Sequence, residues 1–259
     1  MSSETLTQTT CSCDKSLCRI IMDSQPGNIV SAAMIDELQE RLEKATENPH
    51  LKLITLEGAG KHFSFGASVE EHTKERVAEM LPNLRKLITT IAASPVPVAA
   101  LVQGCCYGGA AEIVFACHFI FAASNARVAL PEIKLGVFPP YAAALLPRLT
   151  GQAVADRTLL SGQDVNAEEL YASGIATQVF ASDNLLKGLK AWFEGTLATY
   201  SASSLRHATQ ASRRVFLKDL TKDLFGLENA YLTKLMDTHD ANEGIEAFIQ
   251  KRSPQWRNQ

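Results

Sequence analysis

The spacing of apolar positions changes several times along the chain and divides it into elements. Leu17–Met22 and residues 51–56 are short apolar runs rich in β-branched side chains and bounded by polar turns, the signature of buried strands. Between them Met34, Leu38 and Leu42 recur every four residues, while Asp36, Glu37, Gln39, Glu40 and Arg41 fill the intervening positions. That spacing predicts an amphipathic helix. Residues 74–93 show a second helical pattern, with Pro82 expected to bend or divide it and Pro95 and Pro97 to stop it. A strand over 96–102 then leads into a turn at Gly104, a helix opens at Gly109–Ala116, and strands follow over 118–122 and 127–130.

From Gly151 onward the strand signal fades, and residues 155–160, 167–173, 183–200, 203–215, 229–236 and 242–251 read as helices. The strand-strand-helix order predicts an α/β protein whose stacked layers share one core, with helices over the sheet faces. The expected division is a flexible tail at 1–14, a core at 15–200 and a helical C-terminal region at 201–259.

At 259 residues, with 46% hydrophobic and 20% charged residues, one sizeable core accounts for the whole chain. A net charge of −3 and the lack of a dense basic run argue against a nucleic-acid partner. No apolar run approaches the roughly 20 residues that cross a bilayer, and the polar Met1-to-Asp14 stretch lacks a secretory pattern. A soluble, cytoplasmic protein without a membrane partner is the expectation. The six cysteines, at 11, 13, 18, 105, 106 and 117, do not form the framework of a small secreted domain, so reduced thiols are expected. Cys11, Cys13 and Cys18 lack a second well-spaced ligand pair, so no metal is expected there.

Chemistry concentrates in three segments. Phe63-Ser64-Phe65-Gly66-Ala67-Ser68-Val69-Glu70 and Gly104-Cys105-Cys106-Tyr107-Gly108-Gly109-Ala110-Ala111-Glu112 are turns of small residues that let backbone N–H groups approach a carbonyl oxygen closely. Twenty residues after Glu112 comes Pro131-Glu132. Glu112 precedes Ile113, Val114 and Phe115, an apolar setting that would not hold a carboxylate without purpose or partner; Glu132 sits similarly between Pro131 and Ile133. Two such acids beside an activated carbonyl could move protons. Ion pairing would explain either acid alone.

These segments resemble the loops of the crotonase, or enoyl-CoA hydratase/isomerase, superfamily, with Gly66-Ala67-Ser68, Gly104 to Glu112 and Pro131-Glu132-Ile133-Lys134-Leu135-Gly136 in the corresponding places. The resemblance runs from about Cys18 to Trp256. It implies a crotonase-like β-β-α superhelix with a helical C-terminal trimerisation region, and hence a homotrimer or homohexamer. It also implies an acyl-CoA thioester substrate, with no cofactor beyond the coenzyme A that the substrate itself brings. By position, Ala67 and Gly109 N–H become the oxyanion donors and Glu112 and Glu132 the catalytic acids. Glu112 would take a proton from water, and Glu132 would supply one to carbon.

Residues 62–72, 201–206 and 251–256 are similar, more narrowly, to the cyclohexa-1,5-diene-1-carbonyl-CoA hydratases within that superfamily. The resemblance thus implies 1,4-addition of water to a cyclic dienoyl-CoA, giving the 6-hydroxycyclohex-1-ene thioester, in anaerobic degradation of aromatic acids. Phe65, Gly66, Gly108, Phe138 and Tyr141 are the expected substrate-binding residues, the three aromatics as walls for a flat ring. Each aromatic is equally suited to the core. Ser68 replaces the common Asp after Gly-Ala, and Pro140-Tyr141-Ala142-Ala143 replaces a Gly-rich run, so Pro140 supplies no N–H.

Alternatives are a linear 2-enoyl-CoA hydratase or isomerase, and a non-enzymatic RNA- or protein-binding homologue that would need neither glutamate. His62 and His72 flank Ser64 and Ser68, but no nucleophile elbow occurs, so hydrolase chemistry is disfavoured. Lys61, Lys251 and Arg252 are candidate contacts for CoA phosphates.

Overall fold

The computed structural model describes residues 5–259. Six strands, β1 (Thr7–Ser12), β2 (Leu17–Met22), β3 (Leu53–Gly58), β4 (Val98–Val102), β6 (Phe119–Ala123) and β9 (Gln178–Phe180), form one sheet in the order β1-β2-β3-β4-β6-β9. Within this sheet, among the described residues, only the β1–β2 pair is antiparallel. A second sheet orders β5 (Cys105–Tyr107), β7 (Arg127–Ala129) and β8 (Val165–Asn166). β4 is apolar at every position, and β3 is buried from Leu53 to Glu57, so both strands are covered on both faces as parallel strands require.

Helix α1 (Ala32–Thr46) starts where the Ser31 hydroxyl accepts a hydrogen bond from Met34 N–H, and it buries Met34, Ile35, Leu38 and Leu42. Helix α2 (Val77–Ala92) continues through Pro82 as one helix, because its apolar face from Met80 to Ile91 stays packed in the core. Short α3 (Gly109–Ala116) is buried along its whole length. Helices α4 (Pro140–Thr150), α5 (Gln152–Ser161), α6 (Ala167–Ala172), α7 (Leu185–Gly195), α8 (Ala202–Leu217), α9 (Leu220–Thr233) and α10 (His239–Ile249) follow.

The α/β class and the helical character beyond residue 200 agree with the sequence pattern. The tail does not. Thr7–Ser12 is an edge strand paired with β2, and Glu37 of α1 accepts hydrogen bonds from Leu6 N–H, Thr7 N–H and the Thr7 hydroxyl. Its polar sequence reflects an edge exposed along most of its length. The remainder of the expected tail, residues 1–4, lies outside the described residues. Strands β8 and β9 were invisible in the pattern because two or three residues cannot display a period. Helix α9 begins at Leu220, well before the expected 229.

Candidate active site

The loop after β3 lies alongside β5. Ser64 N–H donates to Cys105 O at 3.1 Å, and Tyr107 N–H donates to Ser64 O at 3.2 Å. The buried Ser64 hydroxyl donates to Asn28 O at 2.7 Å and accepts from Gly66 N–H at 3.0 Å. Gly66 has φ +104°, and a side chain there would meet Tyr107 O at 2.7 Å, so only glycine fits. This lacing sets Ala67 beside the start of α3.

Gly108, at φ +54°, turns the chain into α3, and Gly109 is its first residue. First-turn amides of a helix have no acceptor within the helix. Among the described residues, neither Gly109 N–H nor Ala67 N–H donates to another protein group. Both are free for a ligand at a helix N-terminus, where negative charge is favoured.

Glu112, one turn into α3, is buried. Its Oε1 accepts hydrogen bonds from Tyr141 N–H and Ala142 N–H, both at 2.8 Å. Those amides belong to the first turn of α4, where Pro140 occupies the position whose N–H would be unpaired in any case. Burial pushes the Glu112 carboxyl above the ordinary carboxylate range, and the two amides pull it back toward ionisation.

Glu132 stands in a 3-10 turn, Pro131–Leu135, opposite Gly108: a β-carbon on Gly108 would be 3.0 Å from Glu132 Oε1. Its Oε2 is sealed from solvent and has no hydrogen-bond partner among the described residues. Burial raises its pKa first, and the neighbouring Glu112 charge raises it further. The two carboxyls thus have different surroundings: one is braced by amides, the other bare.

A cavity joins all of these groups except Glu112, which is buried behind the lining and is felt there as the charge beside Glu132. It is lined by Phe65, Gly66, Ala67, Gly108, Gly109 and Glu132, and closed by Val69, His72, Leu135, Val137 and Ile245. The expected donors Ala67 and Gly109, with Phe65, Gly66, Gly108 and Glu132, therefore meet in one place. Tyr141 does not join them. It is fully buried, and its hydroxyl lies 2.6 Å from both Leu81 O and Glu228 Oε2, so it supports the core under α4 and reaches the site only through its backbone N–H. Phe138 is not in the cavity lining either; its ring packs edge-on against Tyr231 at 5.5 Å.

The serine–histidine reading fails in detail. The Ser64 hydroxyl is engaged as above, His62 Nδ1 accepts from Cys105 N–H at 3.1 Å, and His72 Nδ1 faces Ser68 O at 2.7 Å. Arg252 is paired with Glu243 in a fork of 2.5 and 2.8 Å, while Lys61 borders a separate open groove beside Arg127. Sequence reasoning missed the apolar closure by Leu135, Val137 and Ile245, and the α4 amides that hold Glu112. The Pro139-Pro140 pair was the available signal for that helix start.

The match to known proteins follows the same residues. The enoyl-CoA hydratase/isomerase family model matches residues 12–259. The chain belongs to this family. A cyclohexa-1,5-dienecarbonyl-CoA hydratase of Thauera aromatica is 41% identical over 245 residues, covering 95% of this chain and 94% of that protein. A 2,3-dehydroadipyl-CoA hydratase of Escherichia coli is 31% identical, covering 89% and 90%. The crystal structure of an enoyl-CoA hydratase from Mycobacterium avium subsp. paratuberculosis superposes with a TM-score of 0.85 at 26% identity, covering 98% of this chain and 99% of that one. The mixed α/β architecture is thus that of the crotonase fold.

Proposed function

We propose that this enoyl-CoA hydratase family member adds water across cyclohexa-1,5-diene-1-carbonyl-CoA to give 6-hydroxycyclohex-1-ene-1-carbonyl-CoA, within the anaerobic breakdown of aromatic acids. The observation that carries the substrate is the 41% identity with the Thauera aromatica hydratase along nearly the whole of both chains. The reaction type is supported by two unpaired N–H groups, of Ala67 and Gly109, in one cavity with Glu132, and by Glu112 close enough to act on the Glu132 carboxyl.

In this reading the thioester oxygen accepts hydrogen bonds from Ala67 N–H and Gly109 N–H. Water attacks the ring carbon β to the thioester carbonyl while Glu112, kept closer to ionisation by Tyr141 and Ala142 N–H, takes its proton. The displaced electrons collect on the thioester oxygen, where fixed donors lower the barrier. Glu132, the bare and more readily protonated carboxyl, gives its proton to the remote ring carbon, and the dienolate collapses to the product. The proton gained by Glu112 restores Glu132 before the next turnover. The chemistry calls for no group beyond the protein and the CoA thioester.

Action in the cytoplasm and assembly as a trimer or hexamer belong to the same proposal. Among the described residues no helix is long and apolar enough to cross a membrane. Exposed Val215 on α8 and Phe225 on α9 support the C-terminal helices as the contact between subunits.

The test compares catalytic efficiency on cyclohexa-1,5-diene-1-carbonyl-CoA with that on crotonyl-CoA, with products identified by NMR. Specificity is a ratio of transition-state stabilisation, and the shared CoA handle cancels from it. The cyclic diene is expected to win. A preference for crotonyl-CoA would move the assignment to a linear hydratase and leave the mechanism standing.

A further inference from the structure

The cavity contains one polar side chain that the hydration mechanism leaves unused. His72 ends the 3-10 turn Val69–His72, five residues after the oxyanion residue Ala67, and lines the cavity from a different turn than Glu132. Apart from the backbone amides and Glu132, the other lining side chains are apolar. An imidazole in such a place needs a reason, since an unpaired polar group in an apolar cavity is costly.

Its hydrogen bonding fixes its chemical character. Nδ1 lies 2.7 Å from Ser68 O, and a carbonyl can only accept, so Nδ1 holds the proton. Burial lowers the pKa of the ring, which keeps it neutral. A neutral imidazole protonated at Nδ1 presents a lone pair at Nε2. Among the described residues, Nε2 has no protein hydrogen-bond donor, and it is not one of the buried polar atoms sealed from solvent. A residue of the cavity lining therefore carries a pure acceptor of fixed tautomer. A hydrocarbon acyl group gives it nothing to accept; a hydroxylated one does.

We propose that His72 is a specificity-determining residue, whose Nε2 accepts a hydrogen bond from the hydroxyl that hydration places on the acyl group. The inference rests on the hydratase reading above and deepens it. It assigns no proton transfer to His72: the hydroxyl keeps its hydrogen, and the ring stays neutral. The consequence is a site that binds a hydroxyacyl-CoA better than the same thioester without the hydroxyl, and that favours acyl groups able to turn the hydroxylated carbon toward the Val69–His72 turn.

The experiment is a titration of the wild-type protein, His72→Leu and His72→Gln with two matched pairs of ligands. One pair is 6-hydroxycyclohex-1-ene-1-carbonyl-CoA and cyclohex-1-ene-1-carbonyl-CoA; the other is 3-hydroxybutyryl-CoA and butyryl-CoA. The wild type is expected to prefer the hydroxylated member of at least one pair by about tenfold, the range for a hydrogen bond made inside a protein. His72→Leu should abolish that preference by weakening the hydroxylated ligand alone, and His72→Gln, which retains an acceptor oxygen, should restore part of it. Equal weakening of both members in His72→Leu, or no hydroxyl preference in the wild type, would overturn the proposal. Because binding is measured, the result stands apart from turnover. A wild type that hydrates neither dienoyl-CoA nor crotonyl-CoA refutes the hydratase reading, while the ligand pairs still decide what His72 does.

Discussion

A β-carbon placed on Gly109 would stand 3.0 Å from the β-carbon of Ala67 and 3.6 Å from its backbone nitrogen. The start of α3 and Ala67 therefore lie so close that a side chain larger than hydrogen at 109 has no room unless its neighbours give. Gly109→Ala should push the two proposed oxyanion donors apart by a few tenths of an ångström with the fold retained. Catalytic efficiency should fall by about tenfold to a hundredfold, since donor geometry matters at that scale. Circular dichroism and steady-state kinetics on the purified variant check both halves; full activity would remove Gly109 from the oxyanion site.

Glu112→Gln and Glu132→Gln keep the shape of each side chain and remove proton transfer. Each should lower hydration by about 100-fold or more. Near-normal turnover in either variant removes that residue from the mechanism.

The same carboxyls set a pH dependence of stability. Both have folded-state pKa values raised above the ordinary 4.5 by burial, so the folded protein retains protons that the unfolded chain releases. Their stabilising contribution is complete below pH 4.5 and is lost as pH rises through the folded values. Glu132→Gln cannot ionise. Its Tm should match the wild type near pH 4 and exceed it increasingly toward pH 9, and a constant difference across that range would contradict the raised pKa.

Tyr141 offers the converse case. Its hydroxyl bridges Leu81 O and Glu228, and Glu228 also takes a 2.9 Å ion pair from Arg85. Tyr141→Phe should cost about 1–3 kcal/mol of stability by leaving buried polar partners short, measured by urea unfolding. Turnover per folded molecule should change by less than about twofold, because the backbone N–H that holds Glu112 is untouched.

The two phenylalanines expected as ring walls should separate in the same way. Phe65 lines the cavity and leans on His62, with ring centroids 4.8 Å apart, so Phe65→Ala should raise KM for the cyclic substrate. Phe138 packs on Tyr231, so Phe138→Ala should lower Tm by several degrees and leave KM close to its original value. Reversed effects would restore Phe138 as the wall.

The glutamates and the small-residue turns were legible because their chemistry is local. A carboxylate within an apolar run and glycines in consecutive turns are anomalies visible without coordinates. The apolar runs of β3 and β4 and the four-residue recurrence of α1 are legible without coordinates. Tyr141 was misread because an aromatic near a motif looks the same in sequence whether it faces ligand or core. The brace on Glu112 was missed because it joins residues 29 and 30 positions apart through backbone atoms, which leave no mark in the sequence. Strand β1 is not legible because its attachment rests on backbone pairing and on the polar Thr7 held by Glu37, and neither gives an apolar pattern.

Gly244 of α10 lies directly against the carbonyl of Leu135, with no room for a β-carbon between them, and Trp256 covers the same contact. The helix that supplies Ile245 to the cavity is thus seated on the very turn that holds Glu132. The roof cannot rise without taking the acid with it. Hydrogen exchange should accordingly be slow across the α10–Leu135 contact. The acid and the roof over it keep their places together.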